Sequence, residues 1–111
     1  NAELNGDSCK VVGYENHVGR TFLGSDATPL GAVLKGHGNN GEDKTEGAVQ
    51  RRVIGTYMHG PILPKNPWLA DKLLSWAIEH KTGKAPTLTP LDNSIENLAQ
   101  QVAITRAGMK R

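Results

Sequence analysis

Apolar residues fall in short runs through the first half of the chain and at helical spacing through the second. The opening residues 1–8 read as a polar lead-in. Cys9-Lys10-Val11-Val12-Gly13-Tyr14 predicts a short strand, and Thr21-Phe22-Leu23 follows after a polar, glycine-punctuated interruption. Leu30-Gly31-Ala32-Val33-Leu34-Lys35 is a second apolar run bounded by turn residues, and a glycine- and acid-rich loop from Gly36 to Gly47 leads to a strand pair around Ala48-Val49-Gln50 and Arg52 to Tyr57. Together these make residues 9–58 strand-rich.

Beyond residue 66 the period changes. Asn66-Pro67 offers an N-cap and a proline at the first helical position, and Leu69, Ala70, Leu73, Leu74, Ala77 and Ile78 recur at helical spacing. Gly83 and Pro86 end this helix, which is expected over about 67–82. After a linker, Asp92 or Asn93 can cap a second helix over about 93–107, with Ile95, Leu98, Ala99 and Val102 as its apolar face. Strands first and helices second predict an α/β chain.

Composition narrows the function classes. At 111 residues the chain is one domain at most, and 37% hydrophobic residues with 5% aromatics limit it to a modest aliphatic core. Thirteen basic residues against eleven acidic ones, net +2, point to no particular charged partner. The basic residues Arg106, Lys110 and Arg111 form only a short tail, and neither a basic face nor aromatic stacking positions suggest nucleic acid. The single cysteine, Cys9, excludes an internal disulfide and a cysteine-rich zinc site. No run approaches the roughly 18 apolar residues of a membrane helix, and no signal-peptide pattern opens the chain, so membrane insertion is not expected and a cytoplasmic location is the default. Starting without methionine at a polar stretch, the chain reads as a trimmed chain or a fragment.

Several motifs invite a functional reading. Gly36-His37-Gly38-Asn39-Asn40-Gly41 has the letter pattern of a dinucleotide loop, but Glu42-Asp43-Lys44-Thr45-Glu46 follows where a pyrophosphate would need a helix N-terminus. It is not a dinucleotide site, and no cofactor is expected. His17, His37, His59 and His80 match no zinc spacing, so no metal is expected. Cys9 enters a strand without the strained, glycine-flanked turn that activates a catalytic thiol, and is structural or incidental. Gly13-Tyr14-Glu15-Asn16-His17-Val18-Gly19-Arg20-Thr21 places ionisable side chains between two strands, where site and surface readings are equally open. His59 is delivered by the β-branched run Val53-Ile54-Gly55-Thr56-Tyr57-Met58 to a Gly60-Pro61 turn, where an imidazole can serve as a general base. No nucleophile accompanies it.

Three of these motifs carry a resemblance. Gly13-Tyr14-Glu15-Asn16-His17…Gly19-Arg20-Thr21, then Gly38-Asn39-Asn40…Glu42-Asp43-Lys44…Glu46-Gly47, then Gly55 through Pro64-Lys65-Asn66 occur in one order from about Val11 to the C-terminus. The order resembles the C-terminal half of the cobyric-acid-synthase-like (CobB/CobQ-type) class I glutamine amidotransferases. Among them it is most similar to the GatD-type branch, the glutaminase subunits of lipid II isoglutaminyl synthases. The resemblance implies the second part of a flavodoxin-like domain and a parent protein that releases ammonia from L-glutamine. A MurT-like Mur-ligase partner would use that ammonia to amidate D-glutamate of the peptidoglycan precursor.

By its place in the motif, His59 matches the family's catalytic histidine. The family's cysteine nucleophile lies upstream in a Gly-Gly-Tyr-Gln type elbow that has no counterpart here, so the chain alone is expected to be inactive. Pro61 stands where typical class I enzymes carry a histidine-orienting glutamate. Glu15 is a candidate replacement, and Glu15, His17 and Arg20 are candidates for shaping the site. Two other readings are a non-enzymatic interaction module and a cobyrinate-type amidotransferase.

Overall fold

The computed structural model describes residues 1–108, so the tail residues Lys110 and Arg111 lie outside the described region. It is a mixed α/β structure. The described residues form eight short strands, β1 (Ala2–Leu4), β2 (Asp7–Cys9), β3 (Tyr14–Glu15), β4 (Gly31–Ala32), β5 (Thr45–Glu46), β6 (Ala48–Gln50), β7 (Val53–Gly55) and β8 (Met58–His59). Two helices, α1 (Pro67–Thr82) and α2 (Ser94–Arg106), follow. The strands form a four-stranded sheet in the order β2-β1-β4-β5 and two separate pairs, β3–β8 and β6–β7. Each of these pairings is antiparallel.

The strands begin earlier than the hydrophobic pattern suggests. Residues 1–8 are not a polar lead-in: β1 and β2 form a hairpin in the register Ala2↔Cys9, Glu3↔Ser8 and Leu4↔Asp7. The connecting Asn5-Gly6 turn has φ of 51° and 81°, the left-handed pair that a two-residue hairpin turn requires. Ala2 and Leu4 then point inward while Glu3 points out, so two of the few fully buried apolar side chains come from this segment. The run from Cys9 to Tyr14 is likewise not one strand, because Cys9 ends β2 and Tyr14 starts β3 in a different sheet. Thr21-Phe22-Leu23 forms no strand, and the glycine- and acid-rich loop contains β5.

The core is small. Ala2, Leu4, Leu30, Leu69 and Trp76 form one buried cluster, with Val11, Val49, Ile54, Met58 and Leu73 packed against it. Helix α1 turns Leu69 and Trp76 inward, whereas Leu74 and Ile78, which share its apolar stripe in the sequence, are exposed. Pro67 starts the helix and Gly83, with φ 77°, ends it by donating its N–H to the Glu79 carbonyl. Lys72 pairs with Asp7, and Arg52 pairs with Glu79 at 2.7 Å, so charged contacts tie α1 to two hairpins.

Helix α2 presents the opposite face from the one its pattern suggests. Ile95, Leu98 and Val102 are exposed, while Ile104 is buried and Gln100 reaches into the body of the fold. The amide of Gln100 donates to the Lys10 carbonyl and to Asn66 Oδ1, both at 3.0 Å, on the same side as the buried Ile104. Asp92 rather than Asn93 supplies the local side-chain contact at its start, accepting the Ser94 N–H at 3.0 Å. Among the described residues no helix is long and apolar enough to cross a membrane.

Candidate active site

His59 ends β8, directly opposite Tyr14 of β3 in the antiparallel register. The two rings stack with centroids 5.4 Å apart and planes 27° from parallel. This pairing is what joins the Gly13–Thr21 segment to the histidine strand. A second stack lies beside it: the His17 ring lies on Tyr57, centroids 3.7 Å apart and planes within 7°. The Tyr57 hydroxyl shares a 2.6 Å hydrogen bond with Thr21 Oγ1, and His17 Nδ1 lies 2.9 Å from the Gly19 carbonyl. The two stacks involve neighbouring residues of both chain segments, and His59 remains exposed to solvent.

Glu15 is turned away from His59. Its register partner is Met58, so it occupies the opposite face of the β3–β8 pair from Tyr14 and His59. Its carboxylate accepts the backbone N–H groups of His37 at 3.0 Å and Gly38 at 2.6 Å, and so holds the start of the glycine-rich loop. Arg20 also points elsewhere. It donates to the Asn40 carbonyl at 3.0 Å, pairs with Glu42 at 2.6 Å and lies over the Phe22 ring. Of the three residues proposed to shape the site, Glu15 pairs with Met58 through its backbone, and His17 stacks its side chain on Tyr57 of the run that carries the histidine. Cys9 lies on edge strand β2, outside the His59 sheet. Among the described residues no group of three or more His, Cys, Asp or Glu side chains is placed to hold a metal.

The loop with dinucleotide-like spacing has become a polar scaffold. Asn39 is buried, and its side chain exchanges hydrogen bonds with Gly47, donating to the carbonyl at 2.9 Å and accepting the N–H at 2.8 Å. Gly38 has φ 70°, and a Cβ there would run into the Thr45 carbonyl, which is why this turn takes glycine. The Asn40 Oδ1 accepts the N–H groups of Glu42 and Asp43, while its Nδ2 donates to Asp43 and to the Thr21 carbonyl. Asp43 further accepts from the hydroxyl and N–H of Thr45. The Asn40 amide, then the Thr45 hydroxyl and N–H, hold the Asp43 carboxyl below its ordinary value.

The turn after His59 contains a cis Gly60–Pro61 peptide and is closed by Asn66, whose side chain is completely buried. Asn66 occupies the N-cap position of α1, its carbonyl accepting the Leu69 and Ala70 N–H groups at 3.0 and 3.2 Å, but its side chain makes no cap hydrogen bond. Its Nδ2 donates to the carbonyls of Val12 (2.7 Å) and Ile62 (2.6 Å), and its Oδ1 accepts the Val12 N–H (2.8 Å). The asparagine therefore ties the end of the histidine turn to the residue just before Gly13 and Tyr14. Behind the β3–β8 pair lies a cavity of about 230 Å³ with Val11, Val12, Leu30, Met58 and Ile104 among its lining residues. His59 does not line it; the histidine faces the other side.

The sequence matches the CobB/CobQ-like glutamine amidotransferase domain over residues 1–67. It is 48% identical over 101 residues to the GatD subunit of the glutamine-hydrolysing lipid II isoglutaminyl synthase of Staphylococcus aureus strain N315, covering 91% of this chain and 40% of that protein. The corresponding subunit of Streptococcus pneumoniae strain R6 is 44% identical over 91 residues, 82% of this chain and 34% of that protein. A cobyric acid synthase of Pelotomaculum thermopropionicum is 37% identical over 101 residues, covering 80% of this chain and 19% of its own length. The chain thus spans at most 40% of the length of these relatives. On the match across residues 1–67, which contains His59 and the whole scaffold around it, the chain belongs to the CobB/CobQ-like glutamine amidotransferase family.

Proposed function

We propose that this chain is the histidine-bearing part of a glutaminase that releases ammonia from L-glutamine for a lipid II isoglutaminyl synthase. The 48% identity to a GatD subunit, extending over 91% of the chain, is the observation that supports this most strongly. In this role His59 takes the proton from a cysteine thiol held elsewhere in the full-length protein. The thiolate attacks the glutamine amide carbon, and the carbon–nitrogen bond breaks as the imidazolium returns its proton to the departing nitrogen. Water then hydrolyses the glutamyl thioester to glutamate. Ammonia passes to a MurT-like Mur-ligase partner, which amidates D-glutamate of the peptidoglycan precursor in the cytoplasm.

Cys9 is not taken as that thiol: it ends edge strand β2 and lacks the strained, glycine-flanked turn that activates a catalytic cysteine. On this reading the 111-residue chain by itself should release no ammonia from glutamine. Full-length protein should release glutamate and ammonia from glutamine, and His59→Ala should abolish the release. Robust activity of the isolated chain, or of the full-length His59→Ala variant, contradicts this assignment. Ammonia transfer to a cobyrinate acceptor in place of lipid II would move the product to the cobyric acid synthase branch.

A further inference from the structure

Glu46 is a buried acid at the end of β5, 8% exposed, and it forms no ion pair among the described residues. A buried carboxylate is costly unless hydrogen-bond donors meet its charge. Here the donors come from the residues immediately before His59. Tyr57 donates its backbone N–H to Glu46 Oε1 at 2.7 Å, and the Thr56 hydroxyl lies 3.0 Å from Oε1 and 2.9 Å from Oε2. Thr56 Oγ1 in turn accepts the N–H of Met58 at 3.0 Å. These bonds act where the strand ladder is broken, because β7 ends at Gly55 and β8 does not begin until Met58.

We propose that Glu46 is a positioning residue for His59, acting through the backbone of Thr56, Tyr57 and Met58. Charge-assisted bonds to a carboxylate are roughly twice as strong as neutral ones, so Glu46 substitutes for the missing ladder with fewer but firmer contacts. Its own place is fixed from behind. Asn39 clamps Gly47, the next residue, through two hydrogen bonds, and Gly47 has φ 69° with the Gly55 carbonyl 2.7 Å from where a Cβ would sit. The glycine- and acid-rich loop thereby acquires a purpose within the site: it supports the acid that holds the histidine strand. Glu46 touches neither the imidazole nor any reacting atom.

The proposal rests on the glutaminase function, and its test separates the two. Full-length protein is prepared as wild type, Glu46→Ala, Thr56→Val and Thr56→Ser, with folding checked by circular dichroism. Displacing a catalytic group by about 1 Å costs on the order of 100-fold. Glu46→Ala and Thr56→Val should therefore lower kcat about 10- to 100-fold while KM for glutamine stays within about twofold. Thr56→Ser keeps the hydroxyl and should stay within about twofold of wild type in kcat. The His59 ring resonances should shift in the two disabling variants and not in Thr56→Ser. Thr56 is exposed, so its valine variant tests the positioning role even if Glu46→Ala fails to fold. A folded Thr56→Val with wild-type kcat, or with unmoved His59 resonances, overturns that role. A wild-type protein without glutaminase activity overturns the assigned function instead, and the resonances still decide on Glu46.

Discussion

Asn66 and Val12 exchange two hydrogen bonds, as a pair of strand residues would, although only Val12 contributes its backbone to both. The Val12 N–H donates to Asn66 Oδ1 at 2.8 Å, and Asn66 Nδ2 donates to the Val12 carbonyl at 2.7 Å. Replacing Asn66 with alanine leaves both Val12 groups and the Ile62 carbonyl without these partners around a fully buried position. Each such orphan costs about 1–3 kcal/mol, and relaxation around the site limits the total to about 3 kcal/mol. Urea unfolding of Asn66→Ala should show this loss, and Asn66→Asp, which cannot donate, should show a similar one.

The Tyr14–His59 stack steadies an imidazole that is otherwise open to solvent. A stacked aromatic pair contributes about 0.5–1.5 kcal/mol beyond its buried area. Tyr14→Ala should therefore lower the kcat of the full-length enzyme roughly 2- to 10-fold, with Tyr14→Phe near wild type because the contact is between rings. A Tyr14→Phe variant as impaired as Tyr14→Ala would assign the effect to the hydroxyl.

Acid should open the loop around Asp43. Its carboxyl is held below the ordinary value by Asn40 and Thr45, so the folded state binds the proton less readily than the unfolded chain does. The stabilisation is therefore present above the unfolded value of about 3.9 and is lost as pH falls through the lower folded value. Amide exchange at Thr45, corrected for the intrinsic pH dependence of exchange, should show reduced protection below about pH 4. In Asp43→Asn that protection should be weaker at neutral pH and should lack this acid transition.

The rotation of α2 can be read from paired truncations in the 111-residue chain. Ile104→Ala removes a buried side chain and should cost about 2–4 kcal/mol by urea unfolding, whereas Leu98→Ala, at an exposed position, should cost under about 1 kcal/mol. The reverse ranking would place the apolar stripe of α2 inward.

Some features of the site are legible locally and others are not. The resemblance rests on residues whose chemistry is visible in one dimension: His59 before Gly60-Pro61, and the ordered glycine, asparagine and acid positions upstream. Glu15 is a candidate to orient the histidine because Pro61 stands where typical class I enzymes carry a glutamate for that task. Its fate depends on register, since pairing Tyr14 with His59 turns the next residue to the other face. Glu46 and Asn66 carry no local sign of their roles for a related reason. Both sit in matched motifs, but Glu46 meets Thr56 and Tyr57 10 and 11 residues on and Asn66 meets Val12 54 residues back, and no periodicity reports such contacts. The hairpin at Asn5-Gly6 does leave a signal, an Asn-Gly pair between Ala2/Leu4 and Asp7, which the polar character of the segment obscures.

Residue identity and short-range order suffice for the family, the mixed α/β class and the histidine at a proline turn, because none of these depends on a distant contact. Which side chains meet His59, which acid supports its strand and which face of α2 turns inward all require the folded chain. Those outcomes follow from strand register, from the need to satisfy buried polar groups such as Glu46 and Asn66, and from long-range contacts such as those of Gln100 with Lys10 and Asn66.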